Sequence, residues 1–230
     1  METPPVIIDF YGLPGCGKTT LCKTLINQYP DKVIDVDAVW VSYWTQNWFK
    51  RISEIPIFVV FKLFFLFLRS PKLSKEERNI YRGFFVHIIS YSHFKRMNYK
   101  VLLSDNGLIQ DLVSLFYKKE SIFSKKHART FSSLIKGYTN LNQVFCDIPV
   151  ALSLERIRTR NRNKGRLDLI RDNKNLENAL TVQSEFFQKM NVMLKSIGID
   201  FYKIDMNSGA ENVVEQVKIL FPFLQVEDQS

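Results

Sequence analysis

The sequence predicts an α/β fold, in which short apolar strands alternate with helices. A run rich in Val and Ile at residues 6–11 is followed by a glycine-rich loop, after which apolar residues recur at helical spacing. Four further short apolar runs occur along the chain, with helical segments between them. The 230 residues contain no Pro/Gly/Ser-rich linker, and this length is sufficient for a well-buried core. We therefore predict a single domain over residues 1–230.

The loop after the first strand carries a phosphate-binding pattern. Residues 12–19 fit G-x-x-x-x-G-K-[ST] without a mismatch, and the strand–loop–helix setting argues against a chance match. Its glycines let backbone N–H groups approach a phosphate, and the helix that follows adds the positive end of its dipole. Lys18 is expected to neutralise β- and γ-phosphate oxygens, and the Thr19 hydroxyl to hold Mg²⁺. The expected nucleotide contacts are Gly12, Pro14, Gly15, Cys16 (through its backbone), Gly17, Lys18, Thr19 and Thr20.

Two carboxylates end the second predicted strand, at residues 32–37. Ligands of an open α/β sheet bind beyond the carboxyl ends of its strands, so both acids are expected near the γ-phosphate. We predict that Asp37 is a catalytic base and that Asp35 is a metal ligand. The alternative is structural, with Asp37 as the N-cap of a helix beginning at Ala38.

Residues 40–98 are aromatic and mostly helical. We expect them to form an insertion that binds the substrate, which is the acceptor of a phosphoryl group. Residues 55–68 are the most apolar stretch, but Lys62 interrupts them and they fall short of the roughly 20 residues of a membrane span. A helix buried in the insertion or in a homodimer interface is one interpretation, and peripheral contact with an anionic membrane is the other. The helix predicted from residue 75 to about 98 carries Arg78 and Arg82, which face either an anionic acceptor or solvent, and His87 and His93, which we interpret as packed or surface residues.

The third predicted strand, residues 100–104, ends in an acid, Asp105. An Asp after a buried strand, paired with the loop at residues 12–19, is typical of a Walker B element. Asp105 is therefore expected to hold Mg²⁺ through water or to accept the acceptor's proton, which makes it the rival of Asp37 as base. The alternative is that Asp105 only caps a helix beginning near Leu108.

A strand at residues 143–149 and the helix after it lead to an arginine-rich stretch. Residues 156–166 contain five arginines and one lysine, interrupted by Asn and Gly. We predict a lid at about residues 158–168 that orders over bound nucleotide, with Arg160 and Arg162 on the transferring phosphoryl group and Arg158 and Arg166 on the nucleotide. A basic surface helix is the alternative. A helix at residues 173–195, a strand at 200–205 and a helix at 210–221 complete the chain.

The composition of the chain limits which binding partners and which cellular compartment are expected. The net charge of +9 is partly concentrated in the arginine-rich stretch, so nucleotide phosphates explain it better than a nucleic-acid partner. The three cysteines lie at no metal-ligand spacing, and the first residues do not resemble a signal peptide. A reduced, cytoplasmic protein is therefore expected.

Three separated segments resemble the nucleoside and nucleotide kinase family of P-loop proteins, which contains thymidylate kinase, deoxynucleoside kinases and, more distantly, shikimate kinase. These segments are residues 12–19, residues 144–166, and Ile204 and Asp205 with the short helix after them. The resemblance implies a parallel sheet in the order 2-3-1-4-5. It also implies a lid that closes over ATP after the fourth strand, and an adenine site near the backbone after the last strand.

The chain departs from this family at the acceptor side. Asn106 stands where thymidylate and deoxynucleoside kinases usually have an arginine, and the pair Asp35 and Asp37 is similar to shikimate kinase. We therefore expect a kinase that uses ATP and Mg²⁺ and phosphorylates a hydroxyl or phosphate of a small metabolite, nucleotide or glycan. The alternative is a nucleotide-switched NTPase that docks on a membrane or partner through the apolar insertion. The guanine-reading N-K-x-D pattern lacks its final acid at Arg166, which argues against a regulatory GTPase.

Overall fold

The computed structural model describes residues 5–45, 61, 74–116, 133, 135, 137, 140–160, 167 and 169–224. The strands are β1 (Val6–Gly12), β2 (Val33–Asp35), β3 (Val101–Ser104), β4 (Leu141–Asp147) and β5 (Phe201–Asp205). The helices are α1 (Lys18–Gln28), α2 (Val36–Thr45), α3 (Lys75–Phe94), α4 (Leu108–Phe116), α5 (Val150–Thr159), α6 (Asn173–Ser196) and α7 (Ala210–Leu220), and a 3₁₀ turn follows at Pro222–Leu224. The predictions for residues 55–68 lie outside the described residues, Phe61 excepted, and those for Arg162 and Arg166 lie outside them altogether.

The five strands form one parallel sheet in the order β2-β3-β1-β4-β5, which confirms the predicted α/β fold and strand order. Strand β1 is central, and its residues pair with both neighbours, for example Ile8 with Leu103 and Phe10 with Val144. Residues 7–12 of β1 are all buried. A parallel strand covered by helices on both faces has this nearly continuous apolar pattern. The carboxyl ends of all five strands therefore meet at one edge of the sheet.

The second strand is shorter than predicted, because the helix after it begins early. Strand β2 ends at Asp35 and α2 begins at Val36, so Asp37 lies in the first helical turn rather than at a strand end. The Asp35 carboxylate accepts the Ala38 N–H at 2.6 Å, which satisfies one of the unpaired donors of that turn. The helix cap is therefore Asp35, and the alternative that placed Asp37 in this role is wrong.

Helix α3 packs against both α2 and α4, and these two helices contact β3 and β1, respectively. A capping box begins α3, because the Ser74 and Glu77 side chains each accept the other residue's backbone N–H. Both histidines of α3 are buried, and His87 pairs with Asp111 of α4 at 3.0 Å. None of the helices within the described ranges is both long and apolar enough to span a membrane.

Candidate functional site

A cleft of about 790 Å³ lies at the carboxyl ends of the strands. Residues 14–17 of the loop and the start of α1 form one wall, and Asp105 and Asn106 after β3 border it. Arg156, Thr159 and Arg160 of α5 lie along its length. It is also lined by Met206, Gly209, Ala210, Val213 and Val214. The cleft thus joins the phosphate-binding loop to an apolar end about the β5–α7 connection.

Glycine is required at two positions of this loop. Gly12 has φ +147°, and a Cβ there would lie 2.4 Å from the Cys146 carbonyl oxygen of β4. Gly17 has φ +106° and is the left-handed residue that precedes α1. A side chain at either position would therefore strain the backbone, and at Gly12 it would also collide with β4. The N–H of Gly12 donates to the Gln110 Oε1 atom of α4 at 3.0 Å, which ties the loop to α4.

Lys18 is buried beneath the loop. Its ammonium donates to the carbonyl oxygens of Gly12 at 2.9 Å and Leu13 at 3.2 Å, and the Cys16 Sγ atom lies 3.4 Å away. Burial raises the pKa of the Cys16 thiol, but a hydrogen bond from the Cys146 thiol and the Lys18 charge outweigh burial and hold it below its ordinary value. The loop thus confines Lys18 at the foot of the cleft, among acceptors that an anionic ligand can replace.

Thr19 and Asp105 come together across the cleft. The Thr19 hydroxyl donates to the Asp105 carboxylate at 2.5 Å. Oxygen donors of this kind suit Mg²⁺, which binds proteins through few carboxylates and keeps several waters and phosphate oxygens. These two residues therefore fit the predicted metal. Asp105 does not accept the first N–H of α4, because the Leu108 N–H donates to Asp9 of β1 at 3.0 Å.

The two acids at the start of α2 have different surroundings. Asp35 caps α2 through its Oδ1 atom, whereas Asp37 is exposed. Partial desolvation raises the pKa of Asp37, and the negative charges of Asp35 and Asp105 raise it further, whereas His87 opposes them. The three carboxylates are therefore close enough to influence one another. Neither acid of this pair lines the cleft described above, so a base here would act beyond its phosphate end.

The arginines of α5 differ in their contacts. Arg156 bridges two walls of the cleft, because its Nη1 atom donates to the Cys16 carbonyl at 3.0 Å and its Nη2 atom to the Met206 carbonyl at 3.2 Å. Arg160 is the C-cap of the helix and lines the cleft, and its contact with the transferring phosphoryl group stays a prediction. Arg158 instead donates to the start of α6, to Asn173 Oδ1 at 2.7 Å and to the Arg171 carbonyl at 2.9 Å. A nucleotide contact of Arg158 stays a prediction, and it requires these bonds to break.

Sequence reasoning missed a set of buried polar residues behind the loop. Asp9, Ser104 and Gln143 occupy one level of three neighbouring strands, and all are almost completely buried. The Asp9 carboxylate accepts from Gln143 at 3.2 Å and from the Leu108 N–H, and burial raises its pKa to about 6. Asp9 could have been recognised from the sequence, because it is a single acid within an apolar strand. The role of Gln110 had no comparable signal, because its partner is the distant Gly12 backbone.

The pair His87 and Asp111 lies next to this set. Burial lowers the pKa of His87, but the hydrogen bond and charge of Asp111 outweigh it, and Asp9 and Asp37 add to their effect. The net pKa of His87 is therefore raised. A protonated imidazole in this position balances part of the negative charge that the buried acids bring into the core.

Neither protein-family models nor curated protein sequences match the chain. Solved structures do. Deoxyadenosine kinase from M. mycoides is 14% identical with a TM-score of 0.53, over 95% of this chain and 100% of that one. Shikimate kinase from Bacteroides thetaiotaomicron is 14% identical with a TM-score of 0.51, over 94% and 98% of the two chains.

A second shikimate kinase, from Acinetobacter baumannii and in complex with shikimate, is 17% identical with a TM-score of 0.52, over 98% of this chain and 97% of that one. The alignments thus span nearly the whole of each chain, although the sequences have diverged widely. The chain has the fold of the P-loop nucleoside and shikimate kinases.

Proposed function

We propose that the protein is an ATP-dependent kinase that transfers the γ-phosphoryl group to a hydroxyl or phosphate of a small molecule. The observation that carries this proposal is the cleft itself. One end of it holds Lys18 and the contact between Thr19 and Asp105, and the other end is apolar. A nucleoside triphosphate has the same polarity, with its charge at one end and its base at the other.

The orientation of the bound nucleotide follows from the two ends of the cleft. The triphosphate binds the backbone N–H groups of the loop and displaces the carbonyl contacts of Lys18. The base then lies against Met206, Ala210 and Val213. Asp105 and Asn106 border the phosphate end, so the acceptor approaches from that side, where Asp37 also lies within electrostatic reach.

In the transfer itself, the acceptor oxygen forms a bond to the γ-phosphorus while the bond from that phosphorus to the β–γ bridging oxygen breaks, and ADP leaves. For a hydroxyl acceptor, Asp37 takes the proton. Its raised pKa makes it a better base than an ordinary Asp. Mg²⁺ held by Thr19 and Asp105 supplies charge neutralisation of the β- and γ-phosphates. Arg160, with Arg162, stabilises charge on the equatorial oxygens.

An acceptor screen tests the proposal. ADP release is followed with ATP and Mg²⁺ over nucleosides, shikimate, sugars and lipid-linked glycans, since the names of the similar structures suggest the first two. We expect one class to stimulate ADP release and to yield a phosphorylated product by mass spectrometry. Slow hydrolysis that no acceptor stimulates would contradict the proposal and would fit the nucleotide switch instead.

The variant Lys18→Ala serves as the companion test. Removing the ammonium should abolish turnover, because it neutralises the phosphates where charge develops, while circular dichroism shows that the fold is intact. Lys174→Ala, a change on an exposed residue of α6 that does not line the cleft, is the control for a general charge effect. Unchanged activity and nucleotide affinity in Lys18→Ala would overturn the assignment of this loop.

A further inference from the structure

The connection between β5 and α7 is bonded by several side chains, and Gln216 of α7 makes three of these bonds. The Gln216 Oε1 atom accepts the Asp205 N–H at 2.9 Å, and its Nε2 atom donates to the Asp205 carbonyl at 3.3 Å and to Ser208 Oγ at 2.8 Å. The Ser208 hydroxyl in turn donates to the Asp205 carbonyl at 2.8 Å. One amide thus contacts both the first and the last part of the connection, and it does so with its oxygen and its nitrogen.

This connection forms the apolar end of the cleft. Met206 and Gly209 belong to it and line the cleft, and the Met206 carbonyl accepts from Arg156, which also donates to the Cys16 carbonyl of the phosphate-binding loop. Gln216 is thus bonded to Asp205, the chain neighbour of Met206, and Arg156 links Met206 to that loop. Gln216 itself is not among the residues that line the cleft, so any effect on a ligand is transmitted through the connection.

The connection depends on such a tether for its shape. Gly209 has φ +86°, and no atom lies within 4 Å of the position where its Cβ would be, so packing does not confine this glycine. A glycine loses more conformational freedom on ordering than any other residue. Hydrogen bonds therefore supply the restraint. The amide of Gln216 makes three of them, the Asp205 carboxylate accepts the Asn207 N–H, and the Asn212 amide donates to the Ser208 carbonyl.

We propose that Gln216 is a positioning residue for the donor nucleotide, which sets the β5–α7 connection in the shape that receives the base. This inference rests on the proposed function. It concerns the base end of the cleft alone, because the contacts of Lys18 and the bond between Thr19 and Asp105 do not involve Gln216. Loss of Gln216 should therefore weaken binding of a nucleotide without weakening binding of its phosphates.

The test compares two ligands on the full chain by isothermal titration calorimetry, a non-hydrolysable ATP analogue and inorganic tripolyphosphate. Gln216→Met keeps the length of the side chain and removes its hydrogen bonds, and Gln216→Glu keeps only the acceptor. The control is Glu215→Met, the same new side chain on the exposed neighbour. We expect Gln216→Met to bind the analogue about tenfold more weakly, Gln216→Glu to lie between, and all proteins to bind tripolyphosphate equally.

Steady-state kinetics give the second readout. The KM for ATP should rise in Gln216→Met while kcat at saturating ATP is kept, a split that general destabilisation does not produce. Equal analogue affinity in wild type and Gln216→Met would overturn the positioning role and leave the proposed function standing, as would a parallel loss of tripolyphosphate binding. Failure of the wild-type protein to bind the analogue at all would overturn both.

Discussion

At the scale of single residues, Asp9 is unusual because it is an acid buried within an apolar strand. It is fully buried in the central strand, its Oδ2 atom accepts two hydrogen bonds, and its Oδ1 atom has none. Burial raises its pKa from 3.8 to about 6, although His87, Gln143 and the Leu108 N–H each oppose this. The carboxylate therefore joins β1, β4 and the start of α4 at a cost that depends on pH.

The variant Asp9→Asn should be more stable than wild type at pH 8 and not at pH 4. A carboxyl group with a raised folded-state pKa contributes stability that is fully present below its unfolded pKa and is lost as pH rises through about 6. The Asn amide has the shape of the Asp carboxyl group and does not ionise. The free energy of unfolding of the variant should therefore exceed that of wild type by about 2 kcal/mol at pH 8, within the ~3 kcal/mol that the pKa shift of Asp9 allows. Urea unfolding at both pH values measures it. A difference that is the same at pH 4 and pH 8 would contradict the explanation.

At the scale of elements, the start of α2 separates two acids that look alike in the sequence. Asp35 is bonded to the first turn of the helix, and Asp37 is a member of that turn with a carboxylate exposed beside the site. A substitution of Asp35 is therefore expected to change stability, and a substitution of Asp37 to change turnover. The metal role predicted for Asp35 stays a prediction, and its bond to Ala38 leaves the second carboxylate oxygen for such a contact.

The variants Asp35→Ala and Asp37→Asn should fail in different assays. Loss of the cap should lower the free energy of unfolding by about 1 kcal/mol. Asp37→Asn should keep stability and ATP affinity but lose about 10² or more in kcat, since a positioned base contributes on this scale. In wild type, kcat should rise with pH through the raised pKa of Asp37, because the base acts when ionised, and Asp37→Asn should lose this limb. The assignment passes to Asp105 if Asp37→Asn retains full turnover.

At the scale of the whole molecule, the cleft is assembled from four parts of the chain. The loop after β1, the turn after β3, the end of α5 and the connection after β5 all contribute walls. The parallel sheet explains this, because it brings the carboxyl ends of the strands to one edge. Arg156 then bridges the loop and the last connection. A substitution in one of these four parts is therefore expected to alter the geometry of the others.

The end of α5 gives the prediction at this scale. In the double variant Arg160→Ala and Arg162→Ala, kcat should fall about 10³-fold with ATP affinity nearly unchanged, since these cations are expected to act on charge that develops only during transfer. Single-turnover kinetics and calorimetry measure the two quantities. Arg171→Ala, outside the cleft lining among the described residues, is the control. Full activity of the double variant would leave these arginines as surface charge.

The sequence by itself determined the fold class and the glycine-rich loop at residues 12–17. Both depend on patterns that are local: apolar periodicity sets each strand and helix, and glycines at fixed spacing set the loop before any contact with the rest of the chain. The strand order also followed, because the resemblance rested on segments spread over most of the chain. Helix and strand bounds were close for the same reason, and they were wrong at β2, where α2 begins two residues earlier than predicted with Asp35 as its cap.

Only the tertiary structure decided which polar side chains support the site. Asp9 meets the Leu108 N–H across 99 residues, Gln110 meets Gly12 across 98, and Arg156 meets Cys16 across 140. No local pattern specifies such partners, because each contact exists only after the sheet has aligned distant segments. The cap of α2 is a related case, because the alternative interpretation placed Asp37 in this role and the structure places Asp35 there. A cap is worth only about 1 kcal/mol, so the packing of α2 against α3 and β2, rather than residue type, selects the acid that makes it.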